Sequence, residues 1–280
     1  MEEVHFDVDL GRIAGLRAGA IGGAKVLALH GWLDNAASFV PLAGHLHGLD
    51  LVMLDLPGHG RSAHLGAGAD YNLMVTLNAI VDVVDTLEWT QFSVLGHSMG
   101  AGVGSMLAAA LPQRVTRLVA IEALGSLADD ADRTATRLRD GLAAARELGS
   151  KRMRVFTDLA APIRARMQAN QLSEGSARLL VERGVTAVDG GVVWSSDPRL
   201  TLPSLQRLTE AQVRDLIAGI ACPTRVIYAD PPQTYLPEPL RSERAALLPQ
   251  GSLRVLPGTH HLHMEQPVAV AAEIGDFFID

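Results

Sequence analysis

The sequence predicts an α/β fold: a mostly parallel central sheet flanked by helices, interrupted by one mainly helical insertion. Two observations carry this. Short apolar runs recur at residues 25–29, 51–54, 92–95, 117–121, 224–229 and 253–256, and most are separated by segments with helical spacing. After Glu122 that rhythm stops, and it resumes near residue 220. The expected division is a core built from residues 1–124 and 220–280, with an inserted helical lid at 125–219.

Taken in order, Val4 to Leu10 alternates apolar and polar residues, the pattern of an edge strand with one wet face, and Arg12 to Arg17 is its expected hairpin partner. Lys25 to Leu29 is a central strand that runs into His30-Gly31-Trp32-Leu33-Asp34-Asn35. Ala36 to Leu46 has helical spacing, bent or offset at Pro41, with Asp34 and Asn35 as its candidate caps. Leu51 to Leu54 is a buried strand leading into a turn-rich loop, Asp55 to Ser62. Leu73, Leu77, Ile80, Val83, Val84 and Leu87 place one apolar face on a helix over Asn72 to Leu87. Phe92 to Leu95 is a strand, Ala101 to Leu111 a helix closed by Pro112, and Arg117 to Ile121 a further strand ending at Glu122. In the insertion, helices are expected over Ala128 to Leu148, Lys151 to Asn170 with a break at Pro162, Ser173 to Arg183, and Thr209 to Ile217. Val192 to Trp194 forms a short hairpin element. The core then resumes with a strand at Thr224 to Ala229, a helix at Glu238 to Leu248, a strand at Leu253 to Leu256 and a closing helix at Val268 to Ile279.

Composition narrows the partners. The 280 residues carry a net charge of −7 and only 4% aromatics, which argues against nucleic acid or an anionic membrane and leaves a small-molecule substrate. A single cysteine, Cys222, forbids an internal disulfide and reads as a small core residue. The acidic start, Met1-Glu2-Glu3-Val4, lacks the pattern of a signal peptide, and no apolar run reaches the length of a membrane span. Together these place the protein in the cytoplasm as an expectation.

The chain is organised around Gly96-His97-Ser98-Met99-Gly100, a G-x-S-x-G between predicted strand and predicted helix. A strand turning directly into a helix strains the residue at the bend, and flanking glycines let neighbouring backbone come close. Ser98 is thereby presented at the end of the sheet. The Met99 amide sits at the helix N-terminus, where unpaired N–H groups favour negative charge. The turn offers a nucleophile and half an oxyanion site.

An activated serine needs a base and a group that orients the base. His30, His59, His97, His260, His261 and His263 all fall near the ends of predicted strands. His260 is the expected base: it follows the last strand through Pro257-Gly258-Thr259, with His261 its rival and His263 a support for the turn. His97 either contacts substrate or packs beneath the insertion. No metal is expected, because His260-His261-x-His263 lacks the helical spacing of a zinc pair, and no G-x-G-x-x-G follows a strand, so no cofactor is implied.

These motifs resemble the α/β-hydrolase fold family over essentially the whole chain. His30-Gly31-Trp32 is similar to the family's oxyanion loop, Asp55 to Ser62 to the loop after its next strand, Gly96 to Gly100 to its nucleophile elbow, and Gly258-Thr259-His260 with Glu265-Gln266-Pro267 to its histidine loop, whose register selects His260. Within the family the motifs look closest to the serine hydrolase-like proteins. The resemblance implies a Ser98–His260–acid triad with Trp32 and Met99 amides as the oxyanion hole and Trp32 also lining the pocket. The acid departs from the common pattern, because the usual register falls near Pro232. Glu122, after the earlier strand, and Asp230 remain the two candidates, with Glu122 preferred. A serine at the elbow sets the chain apart from haloalkane dehalogenases and epoxide hydrolases, which use Asp there. The implied reaction is hydrolysis of an ester or related acyl bond in a small to medium, apolar substrate. Carbon–carbon hydrolysis, cofactor-free haloperoxidase or lyase chemistry, or a non-enzymatic receptor role remain the alternatives.

Overall fold

The computed structural model describes residues 1–149 and 153–279. Strands β1 (Glu2–Val8) and β2 (Gly11–Gly19) form the leading hairpin, followed by β3 (Ala24–Leu29), a short α1 (Val40–Ala43), β4 (Leu49–Leu54), α2 (Leu73–Thr86), β5 (Phe92–His97), α3 (Met99–Ala110) and β6 (Val115–Ile121). Next come α4 (Thr134–Leu148), α5 (Ala160–Asn170), α6 (Glu174–Arg183), the hairpin β7 (Val185–Val188) and β8 (Gly191–Trp194), and α7 (Glu210–Ala218). The chain closes with β9 (Thr224–Asp230), α8 (Leu240–Ala245), β10 (Gly251–Pro257), α9 (Leu262–Glu265) and α10 (Pro267–Ile274).

The main sheet has eight strands in the order β1-β2-β4-β3-β5-β6-β9-β10. β2 pairs antiparallel with both β1 and β4, and every other pairing is parallel. Alternate residues of each central strand feed opposite faces, as a pleated strand requires. Leu27, Leu29, Val52 and Val94 enter the larger apolar cluster, while Val26, Ala28, Leu51 and Leu95 enter the cluster on the other face. Because β3, β5, β6, β9 and β10 run the same way, the loops after them gather along one edge. Those loops carry the residues after Leu29, Ser98, Glu122, the stretch after Asp230 and His260.

Several expected helices are shorter in the structure, three of them for a clear local reason. The stretch after Asn35 is a 3₁₀ turn at Ala36–Phe39 continuing into α1, and Pro41 takes a first-turn position where a missing N–H costs nothing. α5 starts at Ala160, so Pro162 lies in its first turn and breaks nothing; Phe156 instead bridges to Val192 of β8. Lys151 and Arg152 of that expected helix lie outside the described residues. α10 ends at Ile274, where Gly275 adopts φ 49°.

The segment between β6 and α7 is tied to the core by apolar and polar contacts. Ile163, Leu172, Ala177, Leu180 and Val181 form a third cluster with Met264 of α9. Asn35 donates from Nδ2 to the Leu180 carbonyl at 2.8 Å, and Arg183 donates from Nε to both oxygens of buried Asp55 at 2.9 and 3.1 Å. Helix α7 packs Val213 and Ile217 into the larger core cluster.

Candidate active site

Ser98 stands at the junction of β5 and α3 with φ 51° and ψ −117°, a strained geometry for a residue with a side chain. Two glycines make the bend possible. A Cβ on Gly100 would lie 1.9 Å from the Leu29 carbonyl oxygen, and one on Gly96 would lie 2.4 Å from the Ala101 Cα. The bend is held by the Ser98 N–H donating to the Ile121 carbonyl at 2.8 Å.

Ser98 Oγ is 2.9 Å from His260 Nε2, and His260 Nδ1 is 2.9 Å from Glu122 Oε2. A carboxylate can only accept, so Nδ1 carries the proton and Nε2 is left to accept from the serine hydroxyl. Glu122 is buried at the end of β6 with φ 62°, and its Oε1 accepts from the Ala229 N–H at 2.5 Å. Both carboxylate oxygens are therefore engaged and the side chain is aimed at the imidazole. Asp230, the other candidate acid, is exposed at the end of β9. It contributes its backbone carbonyl to Gly258 N–H at 3.1 Å, and its side chain takes no part in this chain of hydrogen bonds. The residue before it, Ala229, instead gives its N–H to Glu122.

The loop after β3 is set by His30. Its Nδ1 donates to the Gly31 carbonyl at 2.7 Å and its Nε2 accepts from the Leu56 N–H at 2.9 Å. Burial, aided by the neighbouring His59, pushes the His30 pKa down to about 3, so the ring is neutral as that pair of bonds requires. Trp32 follows, with 54% of its surface exposed and its indole N–H donating to the Leu200 carbonyl at 2.9 Å. Neither the Trp32 amide nor the Met99 amide is taken by a hydrogen bond among the described residues. Asn35 caps the following turn, accepting from Ala37 N–H at 3.1 Å.

His97 is wholly buried, so it lies beneath the site instead of facing substrate. Its Nε2 donates to the His260 carbonyl at 2.9 Å. Burial, then His263, His260 and His261, hold its pKa well below the ordinary histidine range. His261 is buried too and its Nε2 donates to Asp34 Oδ2 at 3.1 Å, which removes it as a rival base. His263 packs against the His97 ring at 4.0 Å, supporting the turn. Asp34 also accepts from Arg166 of α5. Burial alone would raise the Asp34 pKa, but His261, Arg166 and His97 offset it and hold the carboxyl well below its usual range.

Asp34, His97 and His261 bring one metal-ligand atom each to within 4.8 Å of one another. That donor set is already committed. Asp34 has its charge balanced by the Arg166 guanidinium, and His261 presents its N–H to it, so a divalent cation would meet an adjacent positive charge.

Sequence reasoning missed three residues at this site. Tyr235, in the loop after β9, brings its hydroxyl 3.4 Å from His260 Nδ1 with its ring edge-on to the imidazole. Burial and the Glu122 charge push the Tyr235 pKa up to about 12. Arg166 and Asp34 are the others. Asp34 was legible only as a cap because it sits before a helical run, whereas a single sequence carries no signal for its distant partner.

Residues 25–230 match the family model described as the α/β hydrolase fold. This protein belongs to the α/β-hydrolase family. It is 32% identical to human serine hydrolase-like protein 2, covering 99% of this chain and 94% of that one. A zebrafish (Danio rerio) serine hydrolase-like protein is 30% identical over 98% of this chain and 87% of its own length. Among solved structures, a hypothetical protein from Pseudomonas aeruginosa PAO1 superposes with TM-score 0.94 at 39% identity, covering all of both chains. The thioesterase domain from the curacin biosynthetic pathway superposes with TM-score 0.82 at 27% identity, covering 98% of each chain. This α/β-hydrolase has no helix, among the described residues, long and apolar enough to cross a membrane.

Proposed function

We propose that this α/β-hydrolase is a serine hydrolase acting on an ester or thioester of a small to medium, apolar acyl group. The observation that carries the reading is the continuous hydrogen-bonded line from Ser98 Oγ through His260 to Glu122. Ser98 Oγ attacks the acyl carbonyl carbon while its proton passes to His260 Nε2. The carbonyl oxygen becomes an oxyanion held by the Trp32 and Met99 amides, the second backed by the N-terminus of α3. Collapse of the tetrahedral intermediate expels the alcohol or thiol, which takes the proton from His260, and leaves Ser98 acylated. Water, deprotonated by His260, then attacks the acyl-enzyme, and the acid product leaves as Ser98 regains its proton. Glu122 stays ionised throughout, holding the imidazole in the right tautomer and stabilising its charged form.

Residues 125–219 act in this reading as the lid, with Trp32 clipped to Leu200 at its border. The half-exposed Tyr235 ring beside His260 favours an apolar acyl group. Thioesters are included because of the likeness to a thioesterase domain. The test is turnover of short-chain nitrophenyl esters and acyl thioesters by the wild type and Ser98→Ala. The reading expects a loss of about 10⁴-fold or more in the variant; turnover at the wild-type rate would remove Ser98 as nucleophile.

A further inference from the structure

We propose that Arg166, outside the core on α5, is a positioning residue for the reaction: by gripping Asp34 it fixes the turn that carries His260 and sets the charge felt by that ring. The proposal rests on the serine-hydrolase reading above.

The geometry holds the His260 peptide from both sides. His97 Nε2 donates to the His260 carbonyl at 2.9 Å, and the next side chain, His261, donates from Nε2 to Asp34 Oδ2 at 3.1 Å. The other Asp34 oxygen accepts from Arg166. Asp34 lies two residues beyond Trp32, and its own N–H donates to the Gly31 carbonyl at 3.1 Å. One carboxylate thus anchors both the histidine turn and the loop whose Trp32 amide is assigned to the oxyanion. Arg166 is delivered from one turn beyond Ile163, which packs in the same apolar cluster as Met264 of the histidine turn.

The charge balance is as specific as the geometry. The Asp34 side chain is 2% exposed and that of Arg166 13%. Facing Asp34 are His261, His97 and Arg166, with His263, His30 and His59 further out. Burial drives His97, His263, His30 and His59 toward their neutral forms, so Arg166 is the one permanent cation in this group. Facing His260 are Glu122, Ser98, Tyr235, His97 and His261, and these are the same whichever partner of the Arg166–Asp34 pair is changed.

Removing Arg166 leaves an uncompensated buried carboxylate beneath His260, which favours the imidazolium; the base is then protonated at higher pH. Neutralising Asp34 leaves Arg166 uncompensated and does the reverse. The experiment is kcat/KM against pH on one nitrophenyl ester for wild type, Arg166→Met, Arg166→Lys and Asp34→Asn, with Ser98→Ala alongside. In Arg166→Met the acidic limb should move up by about half a pH unit, and kcat should fall about tenfold while KM changes little. In Asp34→Asn the limb should move down. Arg166→Lys, which keeps the charge without the planar fork, should hold the limb at the wild-type position. An acidic limb unmoved in Arg166→Met, or moved in the same direction in Arg166→Met and Asp34→Asn, would overturn the proposal. If Ser98→Ala is inactive while Arg166→Met matches wild type, this inference alone fails. Turnover surviving in Ser98→Ala removes the parent reading instead.

Discussion

Glu122 Oε2 accepts the Nδ1 proton of His260 at 2.9 Å from a backbone held at φ 62°, on the strand next to the one that delivers Ser98. In the proposed triad the acid thus comes from the end of β6, the strand beside the one that ends at Asp230. An amide at this site would present a donor to Nδ1 and favour the wrong tautomer. Glu122→Gln should lower kcat by about 10³–10⁴-fold with little change in fold, by the logic of triad acids elsewhere. Asp230→Asn should stay within about twofold of wild type. Steady-state kinetics on one ester separates the two, and the opposite ranking would return the role to Asp230.

Tyr235 shields one side of the same imidazole. With its pKa raised to about 12, its hydroxyl stays protonated across the working range; its oxygen lies 3.4 Å from Nδ1 and can share the N–H that Nδ1 donates to Glu122, while giving the ring no proton. Tyr235→Phe keeps the ring and loses only the hydroxyl, so kcat/KM should fall by about three- to tenfold, the worth of one neutral hydrogen bond. A larger, alkaline-limb effect on the pH profile would mean that the phenol itself transfers a proton.

Stability should fall as the solution is acidified from pH 6.5 toward 5. His30, His97 and His263 are buried and their pKa values are depressed, so the unfolded chain binds protons that the folded one refuses. The sign follows: this contribution is full above the unfolded histidine pKa and is lost as pH drops below it. His30, depressed to about 3, costs about 2 kcal/mol at pH 5 by itself. Thermal melts at pH 7.5 and pH 5 should differ by several degrees. An unchanged Tm would show that these rings accept protons in the folded state.

Gly100→Ala should be among the most damaging single-methyl additions in the chain. Its Cβ would meet backbone at Leu29 and His30, which cannot swing aside as a side chain can. A loss of about 3 kcal/mol or more, or failure to accumulate soluble protein, is expected. Gly66→Ala, with nothing within 4 Å of the added carbon, serves as control and should change Tm little. Equal stability of the two variants would contradict the packing described at the elbow.

The sheet was legible because parallel strands buried on both faces read as continuous apolar runs, as at Val26–Leu29 and Val94–Leu95. The elbow was legible because the bend demands small residues at Gly96 and Gly100. His260 could be picked from its place after the last strand, and its Nε2 lies 2.9 Å from Ser98 Oγ. What spacing could not supply was the fate of side chains whose partners lie far along the chain. Asp34 reads locally as a helix cap, yet it is spent on His261 and on Arg166, which is 132 positions away. Tyr235 lies in an irregular loop with no period to mark it. Residues 153–159 of the helix expected over Lys151 to Asn170 are not helical because Phe156 pairs its backbone with Val192, a tertiary choice that overrides local propensity.

The central claim, a serine made nucleophilic by His260, is tested most directly by covalent labelling. Wild type, His260→Ala and Ser98→Ala would be treated with a fluorophosphonate probe and digested, and the adduct located by mass spectrometry. The account predicts one phosphonyl group, on the peptide containing Ser98, in the wild type, with labelling slowed at least about a thousandfold in His260→Ala and absent in Ser98→Ala. A folded wild-type protein whose Ser98 stays unmodified, or labels equally fast without His260, would contradict it.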